Sequence, residues 1–89
     1  MGNIHTSGED YLETILVLWN KQNGEVRSID VARELNVTKP SVSNAMKILR
    51  EGKFITMDEN GFITLTDAGR YVAEKIYEKH LVLTEWLVS

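Results

Sequence analysis

Apolar residues recur along the chain with two distinct periods. Tyr11, Leu12, Ile15, Leu16, Leu18 and Trp19 return at helical spacing, and Ser7 with Asp10 three places on resembles a capping box, so a first helix is predicted from about Ser7 to about Asn20. Residues 1–6 show no periodicity and read as a mobile tail. The polar stretch Lys21 to Gly24 reads as a loop, with Val26 and Arg27 as a short strand after it. Ser28 then suits the N-cap of a short second helix with Ile29, Ala32 and Leu35 turned inward.

Asn36 falls where a tight turn needs a left-handed residue, and Val37 can plug the turn with an apolar group. Pro40 fits the first turn of a third helix, whose inner face is Val42, Ala45, Met46 and Leu49 and which Gly52 ends. The period then changes. Phe54-Ile55-Thr56 and Phe62-Ile63-Thr64-Leu65 favour strands, and Asp58-Glu59-Asn60-Gly61 between them carries the Asn-Gly signal of a hairpin. Thr66 caps a last helix that keeps its period to Ser89.

Two short helices that cross steeply need a small residue at the crossing, a plugged turn and one apolar face on the second helix. Ala32, Val37 and the Val42 to Leu49 stripe supply them. The expected fold class is therefore mainly α with a small β-hairpin. It is a winged helix-turn-helix over residues 7–65, followed by residues 66–89 as the first helix of a dimerisation domain. On that last helix Leu81, Val82, Leu83, Trp86, Leu87 and Val88 surround the axis with apolar groups, and no Gly or basic turn closes it. The pattern anticipates burial against a second subunit and further helices, in a domain that is incomplete here.

Composition changes this picture in one respect. The 89 residues, 43% apolar, are enough for one core, and the formal charge is -3. Residues 38–53 nonetheless hold Lys39, Lys47, Arg50 and Lys53 against Glu51, while every other stretch is neutral or acidic. The positive charge thus falls on the third helix. Pro40, Ser43, Asn44 and Lys47 form its outward face, small or hydrogen-bonding groups that suit base edges and phosphates in a major groove. Thr38 and Ser41 sit at the helix N-terminus, where exposed N–H groups favour phosphate. Lys39, Arg50 and Lys53 add non-specific attraction, and Arg27, before the second helix, completes the expected DNA-binding set. A bare solvated helix surface is the bland alternative, and the complete helix-turn-helix with its hairpin favours DNA. The hairpin tip, with Asp58 and Glu59 and no cation, is expected to add little.

No cysteine is present, which excludes a disulfide framework and a thiolate zinc site and fits a reducing compartment. The N-terminus lacks a signal-peptide pattern and no apolar run has the length of a membrane span, so the cytoplasm is the expected location. No nucleophile with an oxyanion site can be picked out, so an enzyme is not expected.

Glu9-Asp10-Tyr11-Leu12-Glu13-Thr14-Ile15, Val31-Ala32 to Leu35, Pro40-Ser41-Val42-Ser43, Leu65-Thr66 with Gly69, and Lys79-His80-Leu81 together resemble the diphtheria-toxin-repressor family, most closely its manganese-responsive transport regulators. The resemblance implies a dimeric repressor of metal-uptake genes that binds operator DNA when Mn²⁺ or Fe²⁺ is held between the DNA-binding and dimerisation parts. It places metal ligands at Asp10, Glu13 and His80. Residues three apart on a helix can share an ion, and carboxylates with one imidazole suit Mn²⁺ or Fe²⁺. Iron-type members carry Met where this chain has Asp10, which tilts the resemblance toward manganese. Members also often carry Glu four residues after this His; here Thr84 stands there and Glu85 follows, so an ancillary metal site is not implied. The remaining family ligands lie further along than this sequence runs, so metal binding by these residues alone is expected to be weak. The competing reading is a winged helix that binds protein without a metal response.

Overall fold

The computed structural model describes residues 8–88, with side chains from 8 to 79. The order is α1 (Gly8–Lys21), α2 (Ser28–Leu35), α3 (Lys39–Glu51), β1 (Ile55–Met57), β2 (Ile63–Leu65) and α4 (Asp67–Val88). This is the winged helix-turn-helix that the two apolar periods predict. The tail and the Ser7 cap lie outside the described residues, as do the side chains from His80 to Ser89.

One core joins all the elements. Ile15 from α1, Val26 from the loop, Val31 from α2, Val42 from α3 and Ile55 and Ile63 from the hairpin are its most deeply buried side chains. Each such burial is worth about 1.5–3 kcal/mol relative to exposure. α1 packs along α4, and Ala73 there is completely buried, because a small residue lets two helix backbones come close.

The turn between α2 and α3 follows from its sequence. Asn36 adopts φ 56 and ψ 48, and Val37 N–H donates to the Ala32 carbonyl, which closes α2 and drops the half-buried Val37 against the core. Thr38 caps α3, its Oγ1 accepting from Ser41 N–H at 3.2 Å, with Pro40 in the first turn where its missing N–H costs nothing.

Several local expectations are corrected. Arg27, not Ser28, is the N-cap of α2; its backbone N–H donates to Asp30 Oδ2 at 2.9 Å, so the acid at the third helical position does the capping. Ile29 is 40% exposed, and Val31 takes the inward place expected for it. Val26 and Arg27 form no regular strand, yet Ile63 N–H donates to the Val26 carbonyl at 2.7 Å, so the loop lies against the hairpin through one ladder-like bond. Gly52 does end α3, as its C-cap with φ -79, and the left-handed residue comes one place later, Lys53, φ 65. Lys53 N–H donates to Arg50 O and Phe54 N–H to Leu49 O, the paired bonds of a Schellman ending. Gly52 serves another purpose, since a Cβ there would lie 3.0 Å from the Phe54 ring.

The hairpin pairs Ile55 with Leu65, Thr56 with Thr64 and Met57 with Ile63. Its loop is therefore longer than a two-residue turn. Within it Gly61 alone takes a positive φ, 86. Asp58 Oδ1 accepts from the N–H groups of Asn60 and Phe62, each at 2.9 Å, which fixes the loop.

Candidate DNA-reading face and metal positions

α3 is anchored through Val42, Met46 and Leu49, and that anchoring decides which side chains are left outside. Lys39, Pro40, Ser41, Ser43, Asn44 and Lys47 are all exposed, as is Thr38 before them. Lys39, Ser43, Lys47 and Arg50 recur three or four residues apart and share one strip of the surface; Lys47 and Arg50 line a common shallow depression with Glu51. Ser41, Asn44 and Ile48 form the adjacent strip, which carries no charge until Glu51 at its C-terminal end. A cationic strip beside a neutral, hydrogen-bonding one provides for phosphate attraction and for base reading on a single helix.

At the N-terminus of α3, Thr38 Oγ1 also donates to Ser41 Oγ at 2.9 Å. That leaves the Ser41 hydroxyl proton to point outward, whereas the N–H groups expected to favour phosphate are mostly taken: Pro40 has none, Ser41 N–H is held by Thr38 Oγ1 and Val42 N–H by the Thr38 carbonyl. Arg27 lies outside α3, and its guanidinium carbon stacks 4.5 Å from the centre of the Phe62 ring, on the wing. In the sequence Phe62 reads only as a strand residue, and nothing local pairs it with Arg27; the contact exists because the Val26 loop is bonded to the hairpin. Asp58, expected to weaken the wing's attraction for phosphate, is the acceptor that holds the wing's shape. Glu59 is exposed at the tip.

Asp10 and Glu13 are half-buried on α1, the helix that packs along α4. They are one turn apart, and their oxygens are hard donors of the kind that Mn²⁺ and Fe²⁺ accept. His80 belongs to α4, but its side chain lies outside the described residues. Among the described residues no cluster of three His, Asp or Glu side chains stands close enough to hold a metal ion. Val17, on the same side of α1, is 37% exposed.

α4 is fastened to the end of α3. Thr66 Oγ1 donates to the Lys53 carbonyl at 2.7 Å and accepts from Gly69 N–H at 3.1 Å, while Thr66 N–H donates to the Phe54 carbonyl at 3.0 Å. The cap of α4 is thus bonded to the junction of α3 with the wing. Among the described residues no helix is long and apolar enough to cross a membrane.

A helix-turn-helix with a two-stranded wing and a cationic strip on its third helix defines the winged-helix class of transcriptional regulators. The class has solved representatives close to this chain. The Staphylococcus aureus MepR–DNA complex superposes with a TM-score of 0.68 at 26% identity, over 89% of this chain and 60% of that one. ScaR with bound Zn²⁺ gives 0.68 at 27% identity, over 83% of this chain and 34% of that one. Residues 3–62 match the model of the iron dependent repressor N-terminal DNA-binding domain, and the chain belongs to that family.

Two relatives are each 32% identical to it. One is an HTH-type transcriptional regulator of Methanocaldococcus jannaschii, matched over 91% of this chain and 65% of its own length. The other is the transcriptional regulator MntR of Salmonella typhimurium, matched over 90% of this chain and 50% of its own length. The chain therefore spans between half and two thirds of the length of these relatives. They are transcriptional regulators, not enzymes.

Proposed function

We propose that this chain is the DNA-reading part of a homodimeric, cytoplasmic repressor of metal-uptake genes that responds to Mn²⁺ or Fe²⁺. The observation that carries the metal response is the pair Asp10 and Glu13, half-buried on the helix that packs along α4, the helix of His80, in a member of the iron dependent repressor family. Relatives named MntR support manganese as the ion. ScaR, with bound Zn²⁺, and the zinc-dependent regulator AdcR are structural neighbours that hold a different metal.

Asp10, Glu13 and His80 would hold the ion, which supplies a positive charge that carboxylates and imidazole from two helices can share. Held together, α1 and α4 act on the reading head through Thr66, whose hydroxyl is bonded to the Lys53 carbonyl at the end of α3. In a dimer this sets the spacing of the two α3 helices against successive major grooves. The leverage of the ion equals its difference in affinity between the two arrangements and no more.

DNA contacts fall to Arg27, Thr38, Lys39, Pro40, Ser41, Ser43, Asn44 and Lys47. Binding is expected to weaken steeply with salt, through Lys39 and Lys47 in particular. The test is calorimetry with Mn²⁺ together with operator titration, on the chain and on its His80→Ala and Asp10→Asn variants. Weak Mn²⁺ binding that both variants reduce is the expected result. Unchanged Mn²⁺ affinity in both would remove these residues from the site while leaving the DNA reading intact. A second reading, a winged helix that binds protein and no metal, is favoured by one observation, the exposed Glu59 at the wing tip. Loss of all salt-dependent DNA binding would select it.

A further inference from the structure

Ile48 is 57% exposed, more than Val17 or Ile29, the other large aliphatic side chains left exposed among the described residues. A single apolar residue on a surface needs no special cause. The position of this one supplies a cause. The core requirement of α3 is already met by Val42, Met46 and Leu49, so Ile48 contributes little to packing. Nor is it there to favour the helix, since a β-branched residue is a poorer helix former than the Ala, Gln or Lys that an exposed site readily accepts.

Ile48 lies four residues after Asn44 and seven after Ser41, on a strip of α3 that is uncharged up to Glu51 at its C-terminal end, and next to it runs the strip of Lys39, Lys47 and Arg50. Two kinds of surface cover an exposed isoleucine well. A protein interface is one, but the centre of such an interface is depleted of lysine, and here two lysines and an arginine share the helix face. The other is the major groove, whose phosphates attract those cations and whose base edges carry one apolar group, the C5 methyl of thymine. Asn44 beside it has the paired donor and acceptor that fit the N6 and N7 edge of adenine.

Building on the DNA-binding function proposed above, we propose that Ile48 is a specificity-determining residue that packs on a thymine methyl in the major groove, next to the bases read by Asn44. Ile48 then discriminates thymine from cytosine at a position where no hydrogen bond need be made, and it selects sites by the loss of water from two apolar groups.

The test uses this chain with Mn²⁺ at low salt and a duplex that it selects from a random pool. Each thymine of the duplex is replaced in turn by deoxyuridine, which removes the methyl and leaves the pairing intact. About a fourfold loss of affinity at one or two positions is expected, the worth of one methyl taken out of apolar contact. Ile48→Ala should lose a similar factor on the parent duplex and become indifferent to deoxyuridine at those positions. Alanine favours the helix, and an unchanged circular dichroism spectrum confirms that the variant is folded. Equal binding of thymine and deoxyuridine duplexes by the parent chain overturns the proposal while leaving the DNA function standing. So does deoxyuridine sensitivity that persists in Ile48→Ala. Selection of no duplex at all overturns both.

Discussion

The carbonyl of Phe54 occupies the space in which any side chain at Gly69 would begin. A Cβ at position 69 would stand 2.9 Å from the Phe54 carbonyl carbon and closer still to its oxygen, with Leu65 Cδ2 at 3.3 Å behind it. The obstacle is backbone, which cannot swing aside as a side-chain tip does. Gly69→Ala is therefore expected to destabilise the fold by about 1–3 kcal/mol even though alanine is the better helix former. Thermal unfolding should show a midpoint lower by roughly 4–8 °C for each kcal/mol lost. An unchanged midpoint would mean that α4 does not approach the wing as closely as this.

Lys53 is the other strained point of the same junction. The remaining non-glycine residues with positive φ among those described are Asn23 and Asn36, of the type that tolerates it, whereas Lys53 at φ 65 meets the full Cβ penalty. Lys53→Gly is expected to raise stability by about 0.5–1 kcal/mol. The same change removes a cation from the end of α3, so DNA affinity should fall alike on all sequences, with the salt slope shallower by about 1. A variant that gains stability and loses DNA binding separates the two roles in one measurement.

Arg27 depends on Phe62 for its place. With the guanidinium 4.5 Å from the ring centre, Phe62→Leu keeps an apolar group on the wing and removes the π-face. The expected cost in stability is at most ~1 kcal/mol, while DNA affinity falls severalfold because a freed arginine must be ordered on binding. Stability and affinity falling in proportion would show that Phe62 matters only as a packing residue.

Tyr11 gives the fold an alkaline limit. It is buried, and burial pushes its phenol above the ordinary value of 10.0. The folded state therefore keeps the proton more tightly than the unfolded state. That contribution is complete below pH 10 and is lost as pH rises toward the folded value. Denaturant midpoints are expected to drop above pH 10 in the parent chain and to drop less in Tyr11→Phe.

The first three helices were legible because each has a single apolar stripe of the correct period and a local stop signal. Ala32, Asn36 and Val37 specify the helix-turn-helix turn through interactions within a few residues of one another, and the structure bears them out. The outward residues of α3 followed from the inward ones, since the Val42 to Leu49 stripe leaves Pro40, Ser43, Asn44 and Lys47 nowhere else to point.

What the sequence by itself determined, then, was the order of elements, the turn between α2 and α3 and the face of α3, all governed by spacing over one or two helical turns. Tertiary structure decided the rest. Ile29 was drawn outward because Val31 and Ala32 fill the space next to α1, and Arg27 met Phe62 because Val26 bonded to Ile63. The left-handed residue after α3 became Lys53 because the Phe54 ring lies against Gly52, and Gly69 was required because α4 crosses the Phe54 carbonyl. Such contacts join residues distant along the chain, and no local period or propensity encodes which backbone will arrive at a given side chain.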